Sequence, residues 1–361
     1  MSGFKDQFFK KLNSFSKKEK ELFDKVYSCW ETKGELVIPT EMNSWVETNF
    51  GSISHVKKQD FIRITNTVTY EGAIFNELRT MRPLVESGYN FSDVMDQIKS
   101  VAGDPFMHPE KGTPADIFGR IKGKYCITAS NVAKYDGFHG LIIFDEHNPL
   151  LFSRKRVRDY FNVAHEWFVK ANKHNLLAIY PLFTWNCLWK AGASIIHGHA
   201  QVVLTSGQAY AKVEDLRVSA HMYQERNRSN YFDDVYEIHE KLGLAHKIGN
   251  VRLLVNITPI KEKEIMIFGN GLNKELADVV SDTLNTIKEK LGVSSFNLSI
   301  IMPPLSKTTE VWEHMPVVVR IVDRGLLSVK TADIGSMELY AQSVIGSNPY
   351  LVFDALKNDN S

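Results

Sequence analysis

The chain has 361 residues, 24% of them charged and 43% hydrophobic, and its 43 Lys and Arg against 42 Asp and Glu leave a formal charge of +1. That length suits about two domains of roughly 150 residues, and the composition is that of a folded protein, neither a disordered chain nor a small stapled scaffold. A balanced charge gives no support to a general nucleic-acid or membrane-surface binder.

Three scattered cysteines, Cys29, Cys126 and Cys187, with no C-x-x-C, fit reduced thiols better than a disulfide framework. The segment MSGFKDQFFKKLNSFSKKEKELF breaks every apolar stretch with charge, and no run approaches the ~18 to 20 apolar residues of a membrane span. A cytoplasmic protein with no membrane partner is the expectation.

In chain order, Phe4, Phe8, Phe9, Leu12, Phe15, Leu22, Phe23 and Val26 recur at spacings of three, four and seven, which predicts a helix over 4–30 with one apolar stripe. Short β-like runs (ELVIP, FIRITNTVTY) fill 36–69, and a helix is expected near 91–101. The loop GDPFMHPEKGTP (103–114) reads as a boundary. Strands YCITAS and HGLIIF, a helix from Arg154 to Lys173, and strands LAIYPLF and SIIHGHAQVVLT follow. Residues 208–247 read as charged helix. From Asn250 the order returns: strands VRLLVNI and EIMIFG, helix NKELADVVSDTLNTIKEKLG, strands FNLSIIM and PVVVRIVD. The expected class is α+β, with two related antiparallel-sheet/helix units over 71–215 and 216–361 and a helical N-terminal extension over 1–70.

The chemistry concentrates in ASIIHGHAQVVLT. Strand alternation puts Ile195, His197, His199, Gln201 and Val203 on one face, with the two imidazoles about 6 to 7 Å apart. Polar side chains gathered on one face of an otherwise apolar strand need water, a ligand or a metal as partner. H-x-H alone leaves structural and metal-ligand roles open, but counting back adds Ser194 and Asn186 in the spacing N-x7-S-x2-H-x-H-x-Q.

With that spacing the chain resembles the histidine-triad (HIT-like) nucleotidyltransferases, most closely the galactose-1-phosphate uridylyltransferase family. The resemblance implies a HIT-like fold and names His199 as the nucleophile that takes up a nucleotidyl group. Gln201 stands where hydrolytic relatives carry a third histidine and would hold a phosphate oxygen, favouring transfer. Ser194 and Asn186 would bond phosphates, and His197 would lie at the substrate or serve as a metal ligand. Neutral imidazole is an available nucleophile near pH 7, its ordinary pKa being about 6.5. Upstream, Arg79 and Arg82 in FNELRTMRP resemble the family's R-A-K-R-P segment, whose arginines meet phosphates, a task suited to the guanidinium fork. In SNVAKYDGFHGLIIFDEH, Asn131 matches a nucleoside contact. Near the C-terminus Glu338 and Gln342 match sugar contacts, and His314, with Pro316 two residues on, resembles the remnant of a second metal site.

One departure concerns the family's structural zinc. His147 and His197 match two ligands, but Asp104 and Met107 of D-P-F-M replace its cysteines. Zinc prefers thiolate and imidazole, so the expectation is a degraded site with no cofactor, unless His108 joins Asp104, His147 and His197.

The resemblance spans about 75–345. It implies a ping-pong nucleotidyltransferase taking a nucleotide sugar and a sugar phosphate, with no nucleic-acid partner and room for a homodimer. A phosphorylase acting on a nucleotide sugar or dinucleoside polyphosphate, and a catalytically silent nucleotide-binding protein, are the alternatives.

Overall fold

A computed structural model describes residues 3–81, 91–100 and 103–357; Arg82 lies outside them. Thirteen strands occur among these residues: β1 (Tyr27–Glu35), β2 (Lys58–Asn66), β3 (Gly72–Phe75), β4 (Cys126–Ser130), β5 (Phe138–Phe144), β6 (Ala178–Asn186), β7 (His199–Ser206), β8 (Ala245–Ile248), β9 (Val251–Val255), β10 (Ile265–Gly269), β11 (Phe296–Ile301), β12 (Val317–Asp323) and β13 (Ser343–Ile345). Nine of them form one sheet in the order β4-β5-β7-β6-β11-β12-β10-β9-β8, all paired antiparallel.

Outward from its centre, this sheet runs β6-β7-β5-β4 on one side and β11-β12-β10-β9 on the other. Each half is therefore the same strand–strand–helix–strand–strand unit, joined through β6 and β11, as the repeated order in the sequence predicts. Helices Arg154–His174 and Lys274–Leu291 cross between the inner and outer strands of the two units. The first buries Val157, Tyr160, Phe161, Ala164, Trp167, Phe168 and Ala171, one stripe at helical spacing. Trp167 packs so closely on β5 that a Cβ at Gly140 would lie 2.7 Å from its ring, and the Phe144 ring stacks on Tyr160 at 3.8 Å. The two helices meet through Arg154–Asp282 and Arg158–Asp278 ion pairs. Because helices fill this back face, side chains at odd positions of β5 and β7 are left on the front.

The first seventy residues differ from the expectation of a helical extension. Helix Phe4–Asn13 stops and a second, Lys17–Val26, begins, because Ser16 forms a capping box with Glu19. At Tyr27 the backbone turns extended, and β1 pairs with β2 through nine residues. The run LVIP forms no strand, whereas Asn43–Phe50 and Ile53–Lys57 are helical. β1 and β2 join β3 and β13 in a four-stranded sheet, so the expected division at 70 cuts across a hydrogen-bonded unit. That at 215 falls inside helix Ala211–Asn227. Phe4, Phe8 and Phe23 seat the N-terminal helices, with the Phe4 ring 4.3 Å from that of Phe75. Among the described residues no helix is long and apolar enough to cross a membrane.

Candidate active site

β7 begins at His199, and its pairing with β5 sets His199 beside Ile143 and Gln201 beside Leu141 on the front face. On the other side Gln201 pairs with Thr184 of β6, and continuing that register by two residues brings Asn186 opposite His199. Strand pairing thus assembles His199, Gln201 and Asn186, residues up to fifteen positions apart, on one patch of sheet. Phe106, Ala129, Leu141 and Ile143, with Ile127 and Ile195, form a small apolar cluster over it.

The protonation of His199 follows from its neighbours. Nδ1 lies 2.8 Å from the carbonyl oxygen of His197, an obligate acceptor, so Nδ1 carries the hydrogen and Nε2 the lone pair. Nε2 has no hydrogen-bond partner among the described residues. His199 is buried, its ring edge-on to Phe106 at 5.2 Å, and burial pushes its pKa below the ordinary value. The imidazole is therefore neutral at pH 7 with its nucleophilic nitrogen bare.

His197 lies just before the strand, and its ring turns toward Asp104 and His147 instead of sharing the face with His199. Nε2 of His197 donates to Phe144 O at 2.9 Å and Nε2 of His147 to Ile98 O at 2.7 Å, which leaves a lone pair on each Nδ1. Those two Nδ1 atoms face each other at 3.1 Å, with an Asp104 oxygen 3.7 Å from each. Asp104 Oδ1 accepts from Phe106 N at 2.7 Å, whereas the buried Oδ2 has no hydrogen-bond partner.

Two lone pairs and a carboxylate converging in this way require a positive charge between them. Ligands 2.0–2.1 Å from a tetrahedral zinc stand about 3.3 Å apart, close to these spacings. The donor set thus fits a divalent cation without the missing cysteines, and both histidines carry the carbonyl partner on the far nitrogen that orients metal-bound imidazoles. His108 is not part of the cluster.

A cavity of about 610 Å³ adjoins these residues, with Phe106, Ile127 and Ile143 as its apolar wall, His197 at one side and Lys111, Lys122 and Lys124 around it. It shares Phe106 with His199. A second cavity, about 360 Å³, is lined by Arg79, Glu338, Lys190, Lys261, Arg324 and Asp333, without His199.

The remaining expected residues are dispersed. Arg79 and Glu338 meet in that second cavity, where Glu338 also accepts a hydrogen bond from Gly335 N. Ser194 is exposed and makes no hydrogen bond among the described residues. Asn131 packs against His139, its amide nitrogen 3.3 Å from the ring. Gln342 lies beside Gly72 at the four-stranded sheet, its amide nitrogen buried and unpartnered. His314 contributes its carbonyl to Asn230.

Two residues the motifs do not single out touch the site. Nε2 of His139 bonds Gln201 Oε1 at 2.8 Å, and Asn297 of β11 bonds Asn186 Oδ1 at 2.7 Å. His139 lies within the strand HGLIIF but carried no signal of its own there, and Asn297 had none beyond its strand.

No family model matches the chain, and no curated protein matches it by sequence. Solved structures do share its fold. An ADP-glucose phosphorylase from Arabidopsis thaliana, solved with bound ADP-glucose, superposes with a TM-score of 0.62 at 15% identity, covering 81% of this chain and 97% of that one. A uridylyltransferase gives 0.57 at 16% identity, covering 82% and 98%. The chain has the α+β fold of these proteins, as its sequence motifs predict.

Proposed function

We propose that the protein is a nucleotidyltransferase that passes a nucleotidyl group from a nucleotide sugar to a sugar 1-phosphate through a covalent bond to His199. The observation that carries this reading is the bare Nε2 of a neutral, buried imidazole whose Nδ1–H is held by the His197 carbonyl, with two amides, Gln201 and Asn186, beside it. Nε2 attacks the α-phosphorus, a P–N bond forms, and the P–O bond to the sugar 1-phosphate breaks, its electrons leaving on that phosphate. The ring then carries a positive charge, which the Nδ1–H to carbonyl bond stabilises. A phosphate oxygen of the acceptor reverses the step and returns the neutral imidazole, so one displacement is split into two with no net proton transfer. Amide N–H groups from Gln201 and Asn186 would balance charge on the non-bridging oxygens, and the apolar cavity with its lysines suits a nucleoside phosphate.

Arg79 and Glu338 are assigned to the sugar-phosphate end, with Ser194, Asn131 and Gln342 as further contacts. A divalent cation held by Asp104, His147 and His197 would serve structurally, supplying the positive charge that ties the 104–107 turn, and with it Phe106, against His199. Inorganic phosphate as second acceptor makes the same site a phosphorylase, a reading favoured by the shared fold with ADP-glucose phosphorylase.

The test is incubation with UDP-glucose or ADP-glucose labelled in the α-phosphate. Acid-labile label on His199 is expected, discharged by a hexose 1-phosphate for a transferase or by inorganic phosphate for a phosphorylase. A wild-type protein that binds either compound and never labels is a binding protein. Elemental analysis tests the cation: about one divalent ion per chain is expected, and metal-free protein of full stability removes the assignment.

A further inference from the structure

An amide can present its oxygen or its NH2 to a ligand, and only the NH2 suits a phosphate oxygen. Which end faces the site is decided by what holds the other, and hydrogen bonds propagate that polarity from groups with no choice. A guanidinium only donates, so the Arg324 Nη1 contact identifies Asn297 Oδ1 as the acceptor. Asn297 Nδ2 must then donate, and it does so twice, to Asn186 Oδ1 at 2.7 Å and Ala191 O at 2.8 Å. With its oxygen engaged, Asn186 has only its Nδ2 left to present, and that atom has no partner among the described residues. Arg324 is itself held by Asp333 through Nε at 2.8 Å and Nη2 at 2.9 Å.

A second relay reaches Gln201. The backbone N–H of Tyr135 donates to His139 Nδ1 at 3.0 Å, so the ring hydrogen sits on Nε2 and is given to Gln201 Oε1 at 2.8 Å. The Asn131 amide nitrogen near the same Nε2 is therefore a packing contact. Gln201 again keeps only its NH2 to offer. Both relays start at an obligate donor and end on a free amide N–H, on either side of His199.

We infer that Asn297 and His139 are positioning residues, which fix Asn186 and Gln201 with their NH2 groups outward so that both donate to the phosphates of the substrate. The inference rests on the His199 reading above. It gives the second unit a part in the first unit's site, since Asn297 stands on β11 and Arg324 just beyond β12.

Asn297→Asp tests it. The carboxylate has the shape of the amide and keeps Arg324 as an ion pair, but it has no hydrogen to give. Asn186 would turn its NH2 inward to meet it and leave its oxygen facing the phosphate. Calorimetric titration with UDP-glucose and ADP-glucose is expected to show affinity about ten- to a hundredfold weaker, the effect of losing a charge-assisted bond, with thermal stability retained. Asn186→Ala should lose as much, and the double variant no more than Asn186→Ala alone. His139→Phe and Gln201→Ala should behave as the same kind of pair. Should Asn297→Asp fold poorly, Asn297→Ala removes the donor without adding charge and is expected to give the same coupling.

Additive losses in either cycle, or wild-type affinity in Asn297→Asp, would overturn the positioning role. If wild type binds and labels while the cycles are additive, only this inference falls; if wild type neither binds nor labels, the His199 reading falls and takes this one with it.

Discussion

One row of residues crosses six strands of the nine-stranded sheet on its front face, from Leu141 through Gln201, Thr184, Ser299 and Arg320 to Met266. Gln201 and Arg320 occupy matching places in it, each one strand out from the innermost strand of its own unit. Gln201 keeps an amide free. Arg320 engages all three of its nitrogens with carboxylates: Nε to Glu264 at 2.7 Å, Nη1 and Nη2 to Glu71 at 2.6 and 3.1 Å. Glu264 is buried, and Glu71 precedes β3, so the pair ties the four-stranded sheet to the second unit. The same position in a repeated frame thus keeps a free donor where its polar group is half-satisfied and is cohesive where it is saturated. Two like units present two like faces, and hydrogen-bond saturation distinguishes them.

The strongest way to break this comparison is at the reactive face. His199→Ala should abolish label transfer, a loss of roughly four orders of magnitude or more, because no other imidazole stands between Gln201 and Asn186 on the front face. Single-turnover labelling measures it, and turnover within tenfold of wild type would rule out the covalent step. At the cohesive face the sign reverses. Arg320→Met leaves Glu264 buried and unpaired and should cost about 3–5 kcal/mol in urea denaturation. Gln201→Leu, at the matching place, should cost far less stability while removing transfer; equal losses would erase the distinction.

Acid sharpens the comparison further. His239 lies in the core, donating from Nδ1 to Val235 O at 2.7 Å and accepting from Ile257 N, and burial lowers its pKa to about 4. The unfolded chain titrates near 6.5, so this contribution is whole above pH 6.5 and lost as pH falls toward 4, amounting to about 3 kcal/mol. His139, His197 and His199 shift the same way through burial. Stability measured between pH 7.5 and 4.5 should therefore fall, and His239→Gln should flatten the slope. The smallest effect is expected at Arg79, which lines the second cavity: Arg79→Lys keeps the charge, loses the planar fork, and should weaken nucleotide-sugar binding about tenfold with stability within 0.5 kcal/mol. Unchanged affinity would detach that cavity from the substrate.

Much of this was legible in the residues. The two repeated units could be read because β5, β6, β10, β11 and β12 are dense in apolar and β-branched residues, and helices 154–174 and 274–291 keep one stripe. N-x7-S-x2-H-x-H-x-Q located His199, Gln201 and Asn186. Less legible was the N-terminal part, where β1 is polar along most of its length and is a strand because β2 lies beside it. The roles of His139 and Asn297 depend on strand register between segments 62 and 111 residues from their partners. Asp104, His147 and His197 were named from the sequence as a degraded zinc site, because a cysteine-to-aspartate change reads as loss; that the three converge depends on the fold.

The parallel pairing of β13 with β3 joins Ser343 to Ala73, residues 270 apart in the chain. During synthesis at ~5–20 residues per second, β3 emerges with β1 and β2 but keeps one edge of unpaired N–H and C=O groups for some tens of seconds while the large sheet is made. An open edge on a nascent chain invites pairing with another strand, so β13, made about 270 residues after β3, acts as a closure, and a chain cut before Ser343 would be folded at its large sheet and adhesive along β3.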